Sequence, residues 1–195
     1  RKDWLAQLSL KKTEWLTTAL SKKAFLGEPL LPQEIIVGLN YFGRDDTVWC
    51  VDASNCGIWT HLLTIRKGMD YMRPVNFSNM GFALPAAIGA SFADSRKSIN
   101  CIIGDGGLMM CLQELGTISR HKLPINIFIF NNRGHGIQKQ TINTWLNGNQ
   151  IGVDHETGLF FPDFEFIAKS FGLSYRKIES ISEAESITFS DNQSP

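Results

Sequence analysis

Two apolar runs in this chain end in residues able to hold a metal ion and a phosphate. Ile99 to Ile103 closes with Gly104, Asp105, Gly106 and Gly107, and Ile125 to Phe130 closes with the pair Asn131 and Asn132. Each run reads as a buried strand, and the stretch between them, Leu108 to Lys122, carries a helical stripe of Leu108, Cys111, Leu112, Leu115 and Ile118. Strand, helix, strand is a parallel crossover, which puts both strand ends on one edge of the sheet and lets Asp105 and Asn132 meet. One carboxylate and one amide carbonyl are hard oxygen donors of the kind Mg2+ accepts beside phosphate oxygens. The glycines let backbone N–H groups approach an anion at the start of the following helix. Taken singly, glycines after a strand and paired asparagines are ordinary turn residues; together they predict a site for a metal diphosphate. A dinucleotide fingerprint is excluded, because its third glycine would fall at Met109.

This spacing of Gly104, Asp105, Gly106 and then Asn131, Asn132 is similar to the thiamine diphosphate motif. Met80 to Ala90 (MGFALPAAIGA), Gln113 to Leu115, and Phe161 to Phe171 (FPDFEFIAKSF) resemble the acetolactate synthase branch of the thiamine diphosphate enzymes in order and spacing. The resemblance covers the chain from about Pro32 to Gly172. It implies that Asp105, Asn132 and the backbone carbonyl of Gly134 hold Mg2+. It further implies that Gly104, Gly106 and Gly107 cradle the diphosphate, with Ser54 and Asn55 lining it and Ile137 also touching the cofactor. Met80 then stands where family members place the apolar wedge beneath the thiazolium, and the Ser78 carbonyl receives the 4′-amino group. The activating glutamate of the family comes from a different domain, which no stretch of this chain resembles, so this chain supplies the diphosphate half of a site.

Departures from the synthase pattern bear on the substrate. After the first core strand the synthases usually read Asp, Val or Ile, Gly, Gln, His, Gln; here Asp52 is followed by Ala53, Ser54, Asn55, Cys56 and Gly57. Thr141 stands where the synthases place a Trp that shapes the acceptor pocket, and His135 and Gln138 offer polar groups where the synthases are more apolar. Gln138 and Thr141 are therefore the candidates for substrate contact. The resemblance implies an enzyme that decarboxylates a 2-oxo acid, pyruvate foremost, and transfers the resulting carbanion to an acceptor. A simple 2-oxo acid decarboxylase and a non-catalytic diphosphate-binding module are the alternatives.

Composition bounds these readings. At 195 residues and 43% hydrophobic content the chain can bury one good core. Nineteen basic and nineteen acidic residues cancel, which argues against nucleic acid and anionic membranes as partners. Cys50, Cys56, Cys101 and Cys111 lack metal-type spacing and read as reduced thiols of a cytoplasmic protein. No stretch has the length of a transmembrane helix.

Alternating strands and helices predict an α/β fold, a doubly wound parallel sheet with helices on both faces, and by the resemblance the thiamine diphosphate-binding fold. Residues 1–28, with Trp4, Leu5, Leu8, Trp15, Leu16 and Leu20 as an apolar stripe, read as a helical lead-in from a preceding domain; 29–195 read as the diphosphate-side domain. Further elements are expected as a helix from Pro32 through Leu39, a strand over Thr47 to Val51, a helix over Trp59 to Ile65, and a helix over Leu84 to Phe92. Arg133 to Asn149 is expected to be a mobile loop with some helix. A helix over Pro162 to Phe171, a strand over Leu173 to Ile178 and a helix opening at Ser182 through Ile187 complete the pattern. The abrupt start at Arg1 and stop at Pro195 read as those of an excised domain, whose missing N-terminal and central domains would cover an apolar surface near Leu84 to Phe92. Self-association, as a homodimer or homotetramer, is expected on the same ground.

Overall fold

The computed structural model of the chain describes residues 2–21, 30–40, 43–179 and 183. Its centre is a parallel sheet of four strands, β1 (Thr47–Val51), β2 (Asp70–Met72), β3 (Ser98–Gly104) and β4 (Ile125–Phe130), in the order β2-β1-β3-β4. Side chains alternate across it with the period of two that a strand imposes. Val48, Cys50, Ile99, Cys101 and Ile103 enter one core, and Trp49, Val51 and Ile102 the other. Burial on both faces explains why these runs are continuously apolar rather than alternating. Asn100 is an exception; fully buried in β3, its Oδ1 accepts a hydrogen bond of 2.9 Å from Asn126 on β4.

The first face is covered by α4 (Ala83–Ala93), α6 (Glu114–His121) and α8 (Phe164–Ser170), and the second by α2 (Pro32–Leu39) and α3 (Asn55–Trp59). Helix α2 starts at Pro32, where a missing N–H costs nothing, and Glu34 reaches back to accept from the Leu31 N–H at 2.9 Å. Asp163 caps α8, its carboxylate accepting from the N–H groups of Glu165 and Phe166. The apolar face of α4 is packed rather than open. Leu84, Ala87 and Ile88 are buried, and only Phe92 is an exposed large side chain, in edge contact with His121. The exposed apolar surface lies elsewhere, at Phe77, Met110, Trp145, Phe160 and Phe166.

Several boundaries differ from the sequence expectation. The helix expected over Trp59 to Ile65 begins at Asn55, passes into a 3-10 turn over Thr60–Leu62, and ends with Leu63 extended. The helix between β3 and β4 is two pieces, α5 (Asp105–Met110) and α6. Two successive three-residue closures, Cys111 N–H to Leu108 O and Glu114 N–H to Cys111 O, interrupt the four-residue ladder between them. Strand β2 was hidden by its length, and most of the expected loop after β4 is a helix, α7 (Gly136–Trp145). Leu173 to Ile178 is not a strand. It makes no ladder to β4, and of its residues Leu173 alone packs on the core, through the turn in which its N–H bonds Ala168 O. Strand propensity without a cross-strand partner does not make a strand. Helix α1 (Lys2–Ser21) matches the expected helical start, with Trp4, Leu5 and Leu8 exposed; the side chains of Trp15, Leu16 and Leu20, and the expected helix from Ser182 to Ile187 apart from Glu183, lie outside the described residues.

Candidate functional site

From β1 the chain moves to β2 on one side and later to β3 on the other, so strand order reverses between β1 and β3. Ligands in doubly wound sheets sit outside the carboxyl ends at such a point. Asp52 and Asp105 follow those two strands directly, and Asn131 and Asn132 follow β4.

Asp105 is the first residue of α5 and is buried. Its Oδ1 accepts from the Gly106 N–H at 2.7 Å and its Oδ2 from the Gly134 N–H at 3.1 Å. Burial pushes its pKa up, and these backbone bonds and the neighbouring His135 oppose the rise. The side-chain oxygen of Asn132 points at acceptors only, lying 3.3 Å from both Asp105 oxygens and 2.7 Å from Gly134 O; with the amide reversed, its nitrogen would donate to all three. Oxygens at 90° about an ion with bonds of about 2.1 Å stand ~3.0 Å apart, so the Asn132 amide is spaced from Asp105 and from Gly134 O as neighbouring ligands of one octahedral cation would be once its oxygen faces them. The donor set is one carboxylate, one amide and one backbone carbonyl; among the described residues no three of His, Cys, Asp and Glu gather as a metal cluster.

Beside these oxygens the glycines leave a floor with no room for side chains. A Cβ on Gly106 would meet the His135 ring at 2.6 Å and Met80 Cε at 3.0 Å, and one on Gly107 would collide with Asp52 Oδ2. Asp52 is fixed in turn, its oxygens accepting from the N–H groups of Gly81 at 3.1 Å and Phe82 at 2.9 Å. Gly81, at φ 80°, makes the turn into α4 that this clamp requires. Asp52 thereby places Met80 over Gly106.

Most of the residues singled out in the sequence line one open depression of 1930 Å³ that covers the strand ends and continues along β4: Ser54, Asn55, Ser78, Met80, Gly104 to Gly107, Asn132, Gly134, Ile137 and Gln138. Thr141 does not line it. That side chain is exposed on α7 and donates to Ile137 O at 2.9 Å. Three participants had no role in the sequence reading: Asp52 as clamp, Arg73 in the cleft wall, and Phe161, whose ring meets the His135 ring edge-on at 6.3 Å. Asp52 left a signal as a lone acid closing an apolar strand, and Phe161 only as the first residue of the FPDFEFIAKSF stretch.

Ser54 holds φ 73° and ψ −148°, a region occupied almost solely by glycine, at the position where the synthase pattern has glycine. That turn lets α3 start at the end of β1. Ser54→Gly is expected to raise stability by about 1 kcal/mol, the released strain less the added freedom of glycine in the unfolded chain, read as a higher urea midpoint.

The segment after α7 braces Gly134 and His135. Gly134 bridges Asp154, His135 N–H donates to Val153 O at 2.8 Å, and Lys139 pairs with Asp154. Lys139 and then Thr157 hold the Asp154 carboxyl down to about 2. A depressed carboxyl stabilises above its ordinary value, near 4, and the contribution is lost as pH falls through about 2. Hydrogen-exchange protection of the His135 amide is therefore expected to fall across that window, and Asp154→Asn to remove the pH dependence.

Residues 52–188 match the family model described as "Thiamine pyrophosphate enzyme, C-terminal TPP binding domain". The chain is 34% identical over 161 residues to a probable acetolactate synthase large subunit of Methanococcus aeolicus, covering 80% of this chain and 26% of that protein. It is 32% identical over 155 residues to the acetolactate synthase large subunit of Porphyra purpurea, with the same coverage. To the putative thiamine pyrophosphate-containing protein YdaP of Bacillus subtilis it is 30% identical over 156 residues, again 80% of this chain and 26% of the relative. The chain thus spans about a quarter of the length of these relatives.

Proposed function

Since the chain belongs to the thiamine pyrophosphate enzymes, as their C-terminal cofactor-binding domain of the acetolactate synthase-like kind, we propose that it grips the diphosphate end of thiamine diphosphate through a Mg2+ ion held by Asp105, Asn132 and Gly134 O. The observation that carries this is the meeting of Asp105, the Asn132 side-chain amide and Gly134 at the carboxyl edge of the sheet, with the amide 2.7 Å from Gly134 O and 3.3 Å from both Asp105 oxygens. Gly106 and Gly107 leave the diphosphate access to backbone, helped modestly by the amino terminus of α5. Met80, set by Asp52, supplies the apolar wedge. Ser54, Asn55, Gly104 and Ile137 line the cofactor, and the Ser78 carbonyl takes the 4′-amino group.

When bound, the cofactor supplies the electron sink for loss of CO2 from a 2-oxo acid. The whole protein then decarboxylates such an acid, pyruvate first among candidates, and passes the acyl unit to an acceptor. Gln138, which lines the cleft, is the favoured substrate contact here, ahead of Thr141. Phe77 is 91% exposed one residue from Ser78, which supports a covering partner, either the absent domains or a second subunit of a homodimer or homotetramer. Among the described residues no helix is long and apolar enough to cross a membrane. The four buried, unpaired cysteines support a cytoplasmic setting.

Calorimetric titration tests the cofactor assignment. Thiamine diphosphate with Mg2+ is expected to bind at least about tenfold more tightly than ADP with Mg2+, and equal affinities would reduce the chain to a generic diphosphate module. Without the activating glutamate the chain alone is expected to turn over no pyruvate in a coupled assay, and measurable turnover would contradict the division of the site.

A further inference from the structure

Arg73 follows β2 and stands in the cleft wall as a half-buried cation with no carboxylate partner among the described residues. Both of its hydrogen bonds leave from Nη1, to Gly57 O at 3.0 Å and to His61 Nε2 at 3.0 Å. The Nε and Nη2 groups have no partner among the described residues. One end of the guanidinium is therefore anchored while the edge formed by Nε and Nη2 has no partner among the described residues. That edge is the fork that matches the two oxygens of a carboxylate or a phosphate. Its place is set by Gly57, whose Cβ position lies 3.3 Å from Asp52 O and 3.7 Å from Arg73 Nη1, so the guanidinium stands beside the carboxyl end of β1. A purely structural strap between α3 and the segment after β2 needs Nη1 alone.

We propose that Arg73 is the oxyanion anchor of this cleft, taking a phosphate or carboxylate group of the bound ligand in the Nε and Nη2 fork. The inference rests on the cleft being the ligand site proposed above, but not on the ligand being thiamine diphosphate. Two sources fit the chemistry, the diphosphate of the cofactor and the carboxylates of a 2-oxo acid. A second, distal carboxylate would make the substrate a dicarboxylic 2-oxo acid.

The experiment is calorimetry on the full chain and on Arg73→Gln and Arg73→Lys, with five probes: thiamine diphosphate with Mg2+, thiamine, inorganic pyrophosphate, 2-oxobutanoate and 2-oxoglutarate. Arg73→Gln is expected to bind at least one oxyanion probe about tenfold or more weakly, with thiamine unchanged and Arg73→Lys recovering part of the loss, because a charge-assisted bidentate contact is removed. Loss with pyrophosphate and thiamine diphosphate assigns the fork to the cofactor; loss with 2-oxoglutarate but not 2-oxobutanoate assigns it to a distal carboxylate. The proposal is overturned if Arg73→Gln binds every oxyanion as the parent does, if thiamine weakens in step with thiamine diphosphate, or if the parent binds none of the oxyanions. The cofactor assignment fails separately, by thiamine diphosphate binding no better than ADP while the pyrophosphate arm still depends on Arg73.

Discussion

Asp105→Asn is expected to weaken binding of thiamine diphosphate in the presence of Mg2+ by at least about 100-fold. Groups that merely orient a ligand of a metal already cost roughly 10–100-fold when removed, and here the ligating carboxylate itself is lost. The same substitution should leave the ligand-free chain about as stable as the parent. Burial raises the Asp105 pKa, so the folded state holds the proton more tightly than the unfolded chain does. Stability from this group is thus present at low pH and falls as pH rises from the ordinary carboxylate value through the raised one. At pH 7 an Asn that keeps the Gly106 or Gly134 bond without charge gives up nothing on that account. Calorimetry with and without Mg2+ reads the first effect and urea unfolding the second. Retained Mg2+-dependent affinity would remove Asp105 from the metal site, and an unfolded variant would show that its role is structural.

The second large effect concerns the floor of the cleft. Gly107→Ala puts a methyl group into Asp52 Oδ2 and 3.0 Å from Ile103 Cγ1, in a fully packed region, and is expected to cost about 1–3 kcal/mol. Asp52 cannot step aside without releasing the N–H groups of Gly81 and Phe82. Asp52→Ala is itself expected to be costly, because two hydrogen bonds to a charged acceptor disappear, each worth about 1.5–3 kcal/mol. The informative quantity is the coupling. In an Asp52→Ala background the main collision is absent, so Gly107→Ala should cost less than about 1 kcal/mol, and the double variant should be more stable than the two single costs imply. Urea midpoints of the four proteins give the cycle. Strict additivity would mean that the carboxylate moves freely and does not fix Met80 over Gly106.

Both effects depend on residues of different legibility. Asp105 and Asn132 could be read from sequence because each closes an apolar strand, and the helical stripe between those strands leaves a parallel crossover as the connection. That topology alone brings their positions to one edge. Continuous apolar runs likewise placed β1, β3 and β4, since burial on both faces of a sheet imposes that pattern, and Pro32 marked the start of α2. The sequence by itself therefore determined the architecture and the edge at which the candidate site lies.

Other features depend on contacts between distant segments, which no local pattern records. That Asp52 clamps the turn at Gly81, that His135 lies over Gly106, and that Nη1 of Arg73 is anchored beside the end of β1 follow from how β1, β2, the start of α4 and the segment after β4 meet. Leu173 to Ile178 carries strand propensity yet forms no ladder, because pairing needs a neighbour in register and not only a suitable residue order. Strand β2 was missed for the converse reason, three residues being too few to show a period, while its ladder to β1 suffices to hold it. Thr141 and Gln138, three residues apart on α7, separate in the same way: Gln138 reaches the cleft wall and Thr141 turns back onto its own helix. Residue types and spacing decided which chemistry the edge could carry, and tertiary packing decided which side chains face it, because orientation is settled by the neighbours a side chain meets across the fold.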